Sequence, residues 1–322
     1  MARWPFDKRA LLAWREGVKA RLGLGVFGAR NPQIRALTLP ASMRREGARD
    51  GLAIVAIVKD EAAYLEEWIL FHAMLGVCSV ILYDNGSTDG TADLVAQGHW
   101  GAEVKRLDWR SFDGIDAAQQ LAYNHALANY GADHRWMAFI DVDEFLMPLE
   151  GAELPSALDR FAHQPGVTLP WVNFGLDGHR EKPPGLVIES YTERAAFPPR
   201  PEQYALLRYK TVVDPMEVAV GGSHTFMYRR EGNVMINEAG ERAAPWEGRL
   251  EGFARSEVLR LNHYFTRSEA ELAAKLAKGR VSRNGGMNLS AYDRRMAQDR
   301  LATERDETDR RFVDALQAAL AA

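Results

Sequence analysis

Hydrophobic positions in the first half of the chain alternate between short apolar runs and helical patterns. Residues 52–58, LAIVAIV, form a continuous β-branched run that is typical of a buried parallel strand. In residues 61–75 the apolar positions recur at helical spacing, and residues 79–84, SVILYD, return to a strand pattern. Together the three segments predict a βαβ unit.

The alternation continues to about residue 145. The pattern predicts a short helix over TADLVAQ, a strand over residues 103–107, a helix over about 115–130 and a strand over residues 136–141. Elements of these lengths predict a Rossmann-like, doubly wound α/β fold. Ligands bind such sheets at the carboxyl ends of the strands, so polar residues there are the candidates for chemistry.

The same pattern divides the chain into three parts. Residues 51–285 are predicted to form the main domain, and residues 286–322 a charged C-terminal helical segment. Residues 1–50 are predicted to form a basic helical extension, in which Lys8, Arg9, Arg15 and Lys19 are interleaved with Trp4 and Trp14. Such a helix either packs on the flank of the domain or makes peripheral contact with an anionic inner membrane.

Composition narrows the class of protein. Of the 322 residues, 47% are hydrophobic and 26% are charged, as in an ordinary globular protein, and the net charge of -4 argues against bulk nucleic-acid binding. The single cysteine, Cys78, excludes an intrachain disulfide and fits a reducing compartment. No apolar run approaches the roughly 20 residues of a membrane span, and the first residues lack an apolar signal-peptide core, so we expect a cytoplasmic protein.

Three polar clusters follow predicted strands. Lys59, Asp60 and Glu61 come first, although an Asp at this position is often only a helix cap. DNGSTDG, residues 84–90, comes second and is also a common turn composition. DVDEF, residues 141–145, comes third.

The third cluster suggests a cation site. Asp141 and Asp143 would point the same way along a strand, so they could share a divalent cation and a phosphorylated ligand. A single DxD pattern is weak evidence, because chance and helix capping make it common. Its combination with DNGSTD at two strand ends of one α/β domain is more specific.

The segments IVAIVKDEAAYLEEWILFHAMLGVCSVILYDNGSTDGT and WMAFIDVDEFLMP resemble the GT-A glycosyltransferases of the family-2-like and family-92-like group. The resemblance extends through WVNFGLDGH, YKTVVDP and LNHYFTRS and covers about residues 52–279. It implies a GT-A (Rossmann-like) fold with a mixed, mostly parallel sheet flanked by helices. It also implies metal-dependent, inverting sugar transfer from a nucleotide sugar, expected to be a UDP-sugar, to a saccharide or envelope acceptor.

The resemblance implies a donor site. Asp84 and Asn85 would contact the nucleobase and ribose, and Asp89 would support their loop. Lys59 would belong to the same site. Lys210 would neutralise the diphosphate, unless it merely solvates an edge strand.

The resemblance also implies a site for Mn²⁺ or Mg²⁺. Asp141 would face the ribose and the metal, Asp143 would bind the metal, and His263 in LNHY would complete the site. A histidine among apolar neighbours can instead be a core residue with its hydrogen bonds satisfied.

The general base is less well defined. Asp177 and His179 in FGLDGH are the first candidates, and His224 in GGSHTF is a third. Each of the three could instead have only a structural role. Asp177, for example, precedes Gly178, and Asp-Gly is a common turn sequence. Trp171 in the same region could stack on an acceptor sugar or be a core residue.

Three rival functions remain open. The same fold and carboxylates serve nucleotidyltransferases and nucleotide-sugar hydrolases, and a non-catalytic sugar-binding protein could share the fold. The sequence contains no GxxxxGK[ST] or GxGxxG motif that would indicate a kinase or a dehydrogenase.

Overall fold

The computed structural model describes Leu39, residues 49–112 and 118–278, Met296 and residues 299–321. The predicted helix of the N-terminal extension lies outside these residues. In chain order the strands are β1 (Asp50–Val58), β2 (Val77–Asp84), β3 (Glu103–Asp108), β4 (His134–Phe139), β5 (Glu144–Pro148), β6 (Gly166–Asn173), β7 (Glu193–Ala195), β8 (Tyr209–Val213), β9 (Val218–Gly221), β10 (Phe226–Tyr228), β11 (Gly232–Asn233), β12 (Met235–Ile236), β13 (Arg242–Ala243), β14 (Leu259–His263) and β15 (Ala302–Arg305).

The described α-helices are α1 (Ala62–Met74), α2 (Thr91–Gln97), α3 (Ala118–Tyr130), α4 (Leu154–Leu158), α5 (Val187–Ser190), α6 (Glu269–Lys278) and α7 (Val313–Leu320). Short 3-10 helices span Arg110–Phe112, Asp159–Phe161, Pro201–Leu206, Pro215–Glu217, Glu247–Arg249 and Thr308–Phe312.

An eight-stranded sheet in the order β3-β2-β1-β4-β8-β6-β14-β5 forms the centre of the fold. The β1, β2, β3 and β4 strands pair in parallel, β14 pairs in parallel with β6, and the other three pairings are antiparallel. This mixed, mostly parallel sheet with flanking helices confirms the predicted α/β class. Within the described residues, no helix is long and apolar enough to cross a bilayer.

Both faces of the sheet are covered, which explains the uninterrupted apolar run of β1. Ile54 faces one side and packs in a core with Trp68 of α1. Val55 faces the other side and packs in a second core with Tyr123 of α3. A strand buried on both faces needs apolar residues at every position, because it has no solvent-facing side.

The strand predicted over residues 136–141 ends earlier than expected. The last residue of β4 is Phe139, and β5 begins at Glu144, so Asp141 and Asp143 lie in the turn between two strands. A backbone hydrogen bond of 2.9 Å from Glu144 N to Asp141 O closes this turn. The expectation that strand alternation would point both carboxylates the same way was therefore wrong.

The C-terminal segment was predicted to be helical, but residues 302–305 form strand β15. This strand pairs antiparallel with β7. Arg194 of β7 forms salt bridges with Glu304 at 2.8 Å and with Asp306 at 2.6 Å. Ion pairs therefore link the two strands in addition to their backbone hydrogen bonds. The terminal helix α7 buries Leu316 in the core.

A buried polar network fixes β14, the strand that carries His263. Asp309 accepts hydrogen bonds from Tyr264 Oη at 2.7 Å and from Arg260 Nη2 at 3.0 Å, and Asn262 bonds the same carboxylate. Side chains alternate along a strand, so His263 faces away from this network. The C-terminal segment thereby anchors the strand from the side opposite His263.

Candidate metal and donor site

The loop of residues 84–90 begins at the end of β2 with a fixed carboxylate. Asp84 is buried, its Oδ2 accepts a hydrogen bond of 2.8 Å from Arg106 Nη1, and its Oδ1 accepts one of 2.8 Å from Ser87 N. These contacts favour a role in holding the loop, and direct contact of Asp84 with a nucleotide stays a prediction. Arg106 was missed in the sequence, although it lies on β3 next to β2.

The first two polar clusters are joined to each other. Asp60 N donates to Ser87 Oγ at 2.9 Å, and Asp60 Oδ1 accepts from Thr88 N at 2.7 Å. Asp89 Oδ2 accepts from the backbone amide of Ala62 at 2.9 Å, at the start of α1. Asp60 and Asp89 thus brace the loop against the end of β1.

Lys59 and Asn85 complete the residues predicted at this edge. Lys59 directly follows β1. Asn85 is buried, and its backbone N donates to Val58 O at 2.8 Å. A nucleotide contact by either residue remains a prediction.

Asp141 is held on the side of α3 and β8. Its Oδ1 accepts a hydrogen bond of 3.0 Å from Gln119 Nε2, and its Oδ2 accepts one of 2.8 Å from Lys210 Nζ. Its backbone N donates to Glu144 Oε2 at 3.0 Å. Asp141 therefore faces Lys210 in this structure, and its predicted metal contact stays a prediction.

Lys210 is a buried cation with only 1% of its surface exposed. It lies on β8, between β4 and β6, so the alternative of a solvated edge strand was wrong. Burial lowers the pKa of Lys210, but Asp141 and Glu144 outweigh this effect and raise the pKa well above its usual value. The ammonium group is therefore charged and paired.

Asp143, Glu144 and His263 form a group that could hold a metal ion. One ligand atom from each side chain can be chosen so that all three lie within 4.8 Å of one another. Strand register explains the arrangement, because His263 pairs with Glu144 on one side and with Asn173 on the other. We call these three side chains the carboxylate–histidine group.

The ring of His263 is oriented by its neighbours. Its Nδ1 lies 2.9 Å from Asn173 Oδ1, and its Nε2 lies 3.6 Å from Asp143 Oδ2. The bond to the amide oxygen assigns the proton to Nδ1, which directs the Nε2 lone pair toward Asp143. The ring of Trp171 stacks on the imidazole, with 4.0 Å between centroids.

Lys275 of α6 forms an ion pair with Asp143. Burial raises the pKa of Asp143, but neighbouring positive charge, that of Lys275 first, outweighs this effect and holds the pKa well below its usual range. The contact joins residues 132 positions apart, and no local pattern in the sequence predicts it.

Glu144 is fully buried, and its Oε1 has no hydrogen-bond partner in the part of the chain that the structure describes. Burial raises the pKa of Glu144 well above its usual value, although Lys210 opposes this. A buried carboxylate oxygen without a partner is costly, and a cation would satisfy it. The sequence analysis grouped Glu144 with Asp141 and Asp143 in DVDEF but did not assign it as a ligand.

The three base candidates lie in different surroundings. Asp177 accepts hydrogen bonds from Thr192 N at 2.6 Å and from Glu193 N at 3.0 Å, which favours the turn role. His179 Nε2 lies 3.1 Å from Ser190 O. His224 lies edge-on to Trp171, with 5.7 Å between ring centroids, and its Nδ1 is 3.0 Å from Tyr209 O.

The residues of the carboxylate–histidine group fit a divalent cation. Two carboxylates and an imidazole form a mixed oxygen and nitrogen donor set, and the second nitrogen of the imidazole is bonded as in metal-bound histidines. The orphaned oxygen of Glu144 supports the same conclusion.

Sequence comparison assigns the family. The sequence model of glycosyltransferase family 92 matches residues 53–240, which include the 84–90 loop and the turn at residues 141–143. The chain belongs to glycosyltransferase family 92. His263 and Lys275 lie beyond the matched residues.

A family 92 protein of Oryza sativa subsp. japonica is 26% identical over 168 residues, which cover 51% of this chain and 27% of that protein. The chain thus spans about a quarter of the length of this relative.

Solved structures with a similar arrangement include TarS of S. aureus in complex with UDP. That chain, residues 1–349 of TarS, has 17% identity and a TM-score of 0.33, and the match covers 51% of this chain and 47% of that chain. Another is glucosyl-3-phosphoglycerate synthase of Mycobacterium tuberculosis in complex with Mn²⁺, UDP and glucosyl-3-phosphoglycerate. It has 19% identity and a TM-score of 0.29, covering 68% of this chain and 64% of that chain. Because both TM-scores are below 0.5, the family assignment rests on the sequence match.

Proposed function

We propose that this protein transfers a sugar from a nucleotide-sugar donor, a UDP-sugar, to a saccharide or envelope acceptor with the help of Mn²⁺ or Mg²⁺. The observation that carries the proposal is the carboxylate–histidine group in a chain of family 92. It lies beside the turn that joins β4 to β5, where Asp141 and Lys210 provide a further pair of charges.

Each part of the site has a separate task in this proposal. The 84–90 loop, held by Asp84 and Asp89, receives the nucleoside. Asp143, Glu144 and His263 would hold the divalent cation, which supplies Lewis-acid stabilisation of the diphosphate leaving group when it is bound. Lys210 would hold the Asp141 carboxylate in place through the hydrogen bond from its Nζ to Oδ2.

We propose an inverting reaction with His224 as the general base. The bond from His224 Nδ1 to Tyr209 O assigns the proton to Nδ1 and leaves the Nε2 lone pair as the proton acceptor. The hydroxyl of the acceptor would lose its proton to Nε2 while its oxygen attacks the anomeric carbon, and the bond from that carbon to the diphosphate oxygen would break, releasing UDP. Of the three candidates, His224 is the one whose ring contacts Trp171, which in turn stacks on His263.

The test is an assay of product release. With a UDP-sugar, Mn²⁺ and a panel of saccharide acceptors, we expect UDP release that depends on the acceptor and is lost with a chelator. Asp143→Asn should abolish it, and Lys105→Met, on the exposed side of β3, is the matched control. Acceptor-independent release would indicate a hydrolase, and pyrophosphate release from a nucleoside triphosphate would indicate a nucleotidyltransferase.

Contact of the basic extension, predicted over residues 1–50, with an anionic membrane stays a proposal from the sequence alone. Cosedimentation with anionic vesicles that decreases with salt would support it, because exposed charges are screened over about 10 Å at 0.1 M salt. Equal binding to neutral vesicles would contradict it.

A further inference from the structure

Arg267 is a buried cation in the connection between β14 and α6, four residues after His263. Only 7% of its surface is exposed, and its Nε and Nη2 atoms are buried without a hydrogen-bond partner among the residues that the structure describes. Buried N–H groups are nearly always bonded, since leaving them unpaired is unfavourable. A guanidinium in this state needs an acceptor.

The backbone of Arg267 is also unusual. Its φ angle is 48°, in the left-handed region that residues other than glycine rarely occupy. Both neighbours are held in place, because Thr266 Oγ1 donates to Phe174 O at 3.1 Å and Ser268 Oγ donates to Glu271 Oε2 at 2.6 Å. Such strain persists where the surroundings enforce it, and it is concentrated at ligand sites.

A second cation lies over the same aromatic ring. The guanidinium carbon of Arg267 is 3.4 Å from the centroid of Tyr64, and Lys182 Nζ is 4.3 Å from it. Lys182 Nζ also donates to Ala63 O at 3.2 Å. Burial lowers the pKa of Lys182, and the charge of Arg267 lowers it further. The ring of Tyr64 offsets part of the repulsion between the two cations.

The carboxylate of Glu67 interacts electrostatically with both cations, but its oxygens accept hydrogen bonds from backbone amides. Its Oε2 accepts from Val187 N at 2.9 Å and its Oε1 accepts from Ile188 N at 3.3 Å. Burial raises its pKa, although these amides and the two cations oppose this effect. Within the described residues, Nε and Nη2 of Arg267 therefore remain without a hydrogen-bond acceptor.

We propose that Arg267 and Lys182 form a binding site for a phosphate group beside the carboxylate–histidine group. The planar guanidinium matches two phosphate oxygens at once, and the ammonium adds a second charge for a dianion. Trp68, one turn after Tyr64 in α1, donates a hydrogen bond from Nε1 to Glu144 O at 2.7 Å, which places this part of the helix next to that group.

Two sources could supply the phosphate: the diphosphate of the donor or a phosphate carried by the acceptor. Naming these sources rests on the proposed function, whereas the binding site itself does not.

Titration calorimetry with inorganic phosphate and with UDP, in the presence of a chelator, tests the site without turnover. We expect Arg267→Gln to weaken phosphate binding by about 10- to 100-fold, as for the loss of hydrogen bonds to a charged group. Lys182→Met should weaken it less, and Arg305→Gln, which alters an exposed arginine on β15, should not change it. The melting temperature of Arg267→Gln is measured alongside, to show that the variant is folded.

Competition distinguishes the two sources, and either result supports the site. If saturating UDP displaces phosphate, the donor diphosphate is the ligand; if both bind together, the acceptor carries the phosphate.

The proposal is overturned if the wild type binds neither phosphate nor UDP, or if both variants bind them as the wild type does. Lys182 is exposed, so its variant decides the question even if Arg267→Gln does not fold. Sugar transfer that fails while phosphate binding follows this pattern would reject the proposed function alone.

Discussion

Replacing Lys210 with methionine removes the cation that pairs with Asp141 inside the sheet. Lys210 Nζ lies 2.8 Å from Asp141 Oδ2 and 3.6 Å from Glu144 Oε2. Because burial raises the pKa of Glu144, we assign the ion pair mainly to Lys210 and Asp141. The substitution leaves Asp141 with Gln119 and Tyr123 as neutral donors.

The magnitude follows from the geometry. At an effective dielectric constant of about 20, two unit charges 2.8 Å apart attract by about 6 kcal/mol before the cost of desolvation. Breaking a fully buried pair typically costs about 3 to 5 kcal/mol. The side chain of Asp141 is 35% exposed, so water can solvate part of its charge, and we expect a loss of about 2 to 4 kcal/mol.

Urea unfolding measures this loss as a change in the free energy of unfolding. Lys210→Met combined with Asp141→Asn removes both charges and should recover at least half of it, since no unpaired ion remains. Lys105→Met removes an exposed lysine paired with exposed Glu103 and should change stability by less than about 0.5 kcal/mol. A Lys210→Met protein as stable as the wild type, or a double variant less stable than the single one, would refute the reasoning.

Three further predictions concern His72, Lys275 and His224. His72 is fully buried, and burial lowers its pKa from 6.5 to about 3, so its contribution to stability is complete above pH 6.5 and is lost as pH falls toward 3. The loss is about 1.4 kcal/mol per pH unit in that range, and urea unfolding of His72→Gln should show a correspondingly flatter profile; parallel profiles would contradict this. Lys275→Met frees Asp143 from its ion pair, so calorimetry should show Mn²⁺ affinity about fivefold tighter, whereas weaker binding would mean that Lys275 assists the site. His224→Gln should lower kcat by at least about 10²-fold with an unchanged melting temperature, and a wild-type kcat would remove His224 from the role of base.

The sequence predicted the central part of the fold well because burial there imposes a simple pattern. The predicted strand at residues 52–58 lies within β1, and the predicted helix at 61–75 contains α1. Strands covered on both faces require continuous apolar runs, which are readable without tertiary information. The end of β4 was misplaced because Ile140 and Val142 continue the apolar pattern through a turn.

The candidate site was predictable only where its residues follow strands. Asp143 was selected because DVDEF follows a predicted strand and the family resemblance implies a metal ligand at this position. The contacts of Lys275 with Asp143 and of Asn173 with His263 could not be predicted, since they join residues 132 and 90 positions apart. Such contacts depend on strand order and register, which local periodicity does not encode.

The most direct test of the account is whether His263 coordinates the ion that the site is proposed to hold. Pulsed electron paramagnetic resonance of Mn²⁺ bound to the protein with UDP detects a directly bound imidazole nitrogen. We predict a nitrogen coupling in the wild type that is absent in His263→Gln, with at least about 10-fold weaker Mn²⁺ binding in that variant. Equal Mn²⁺ affinity in both proteins, with no nitrogen coupling in either, would contradict the proposed metal site.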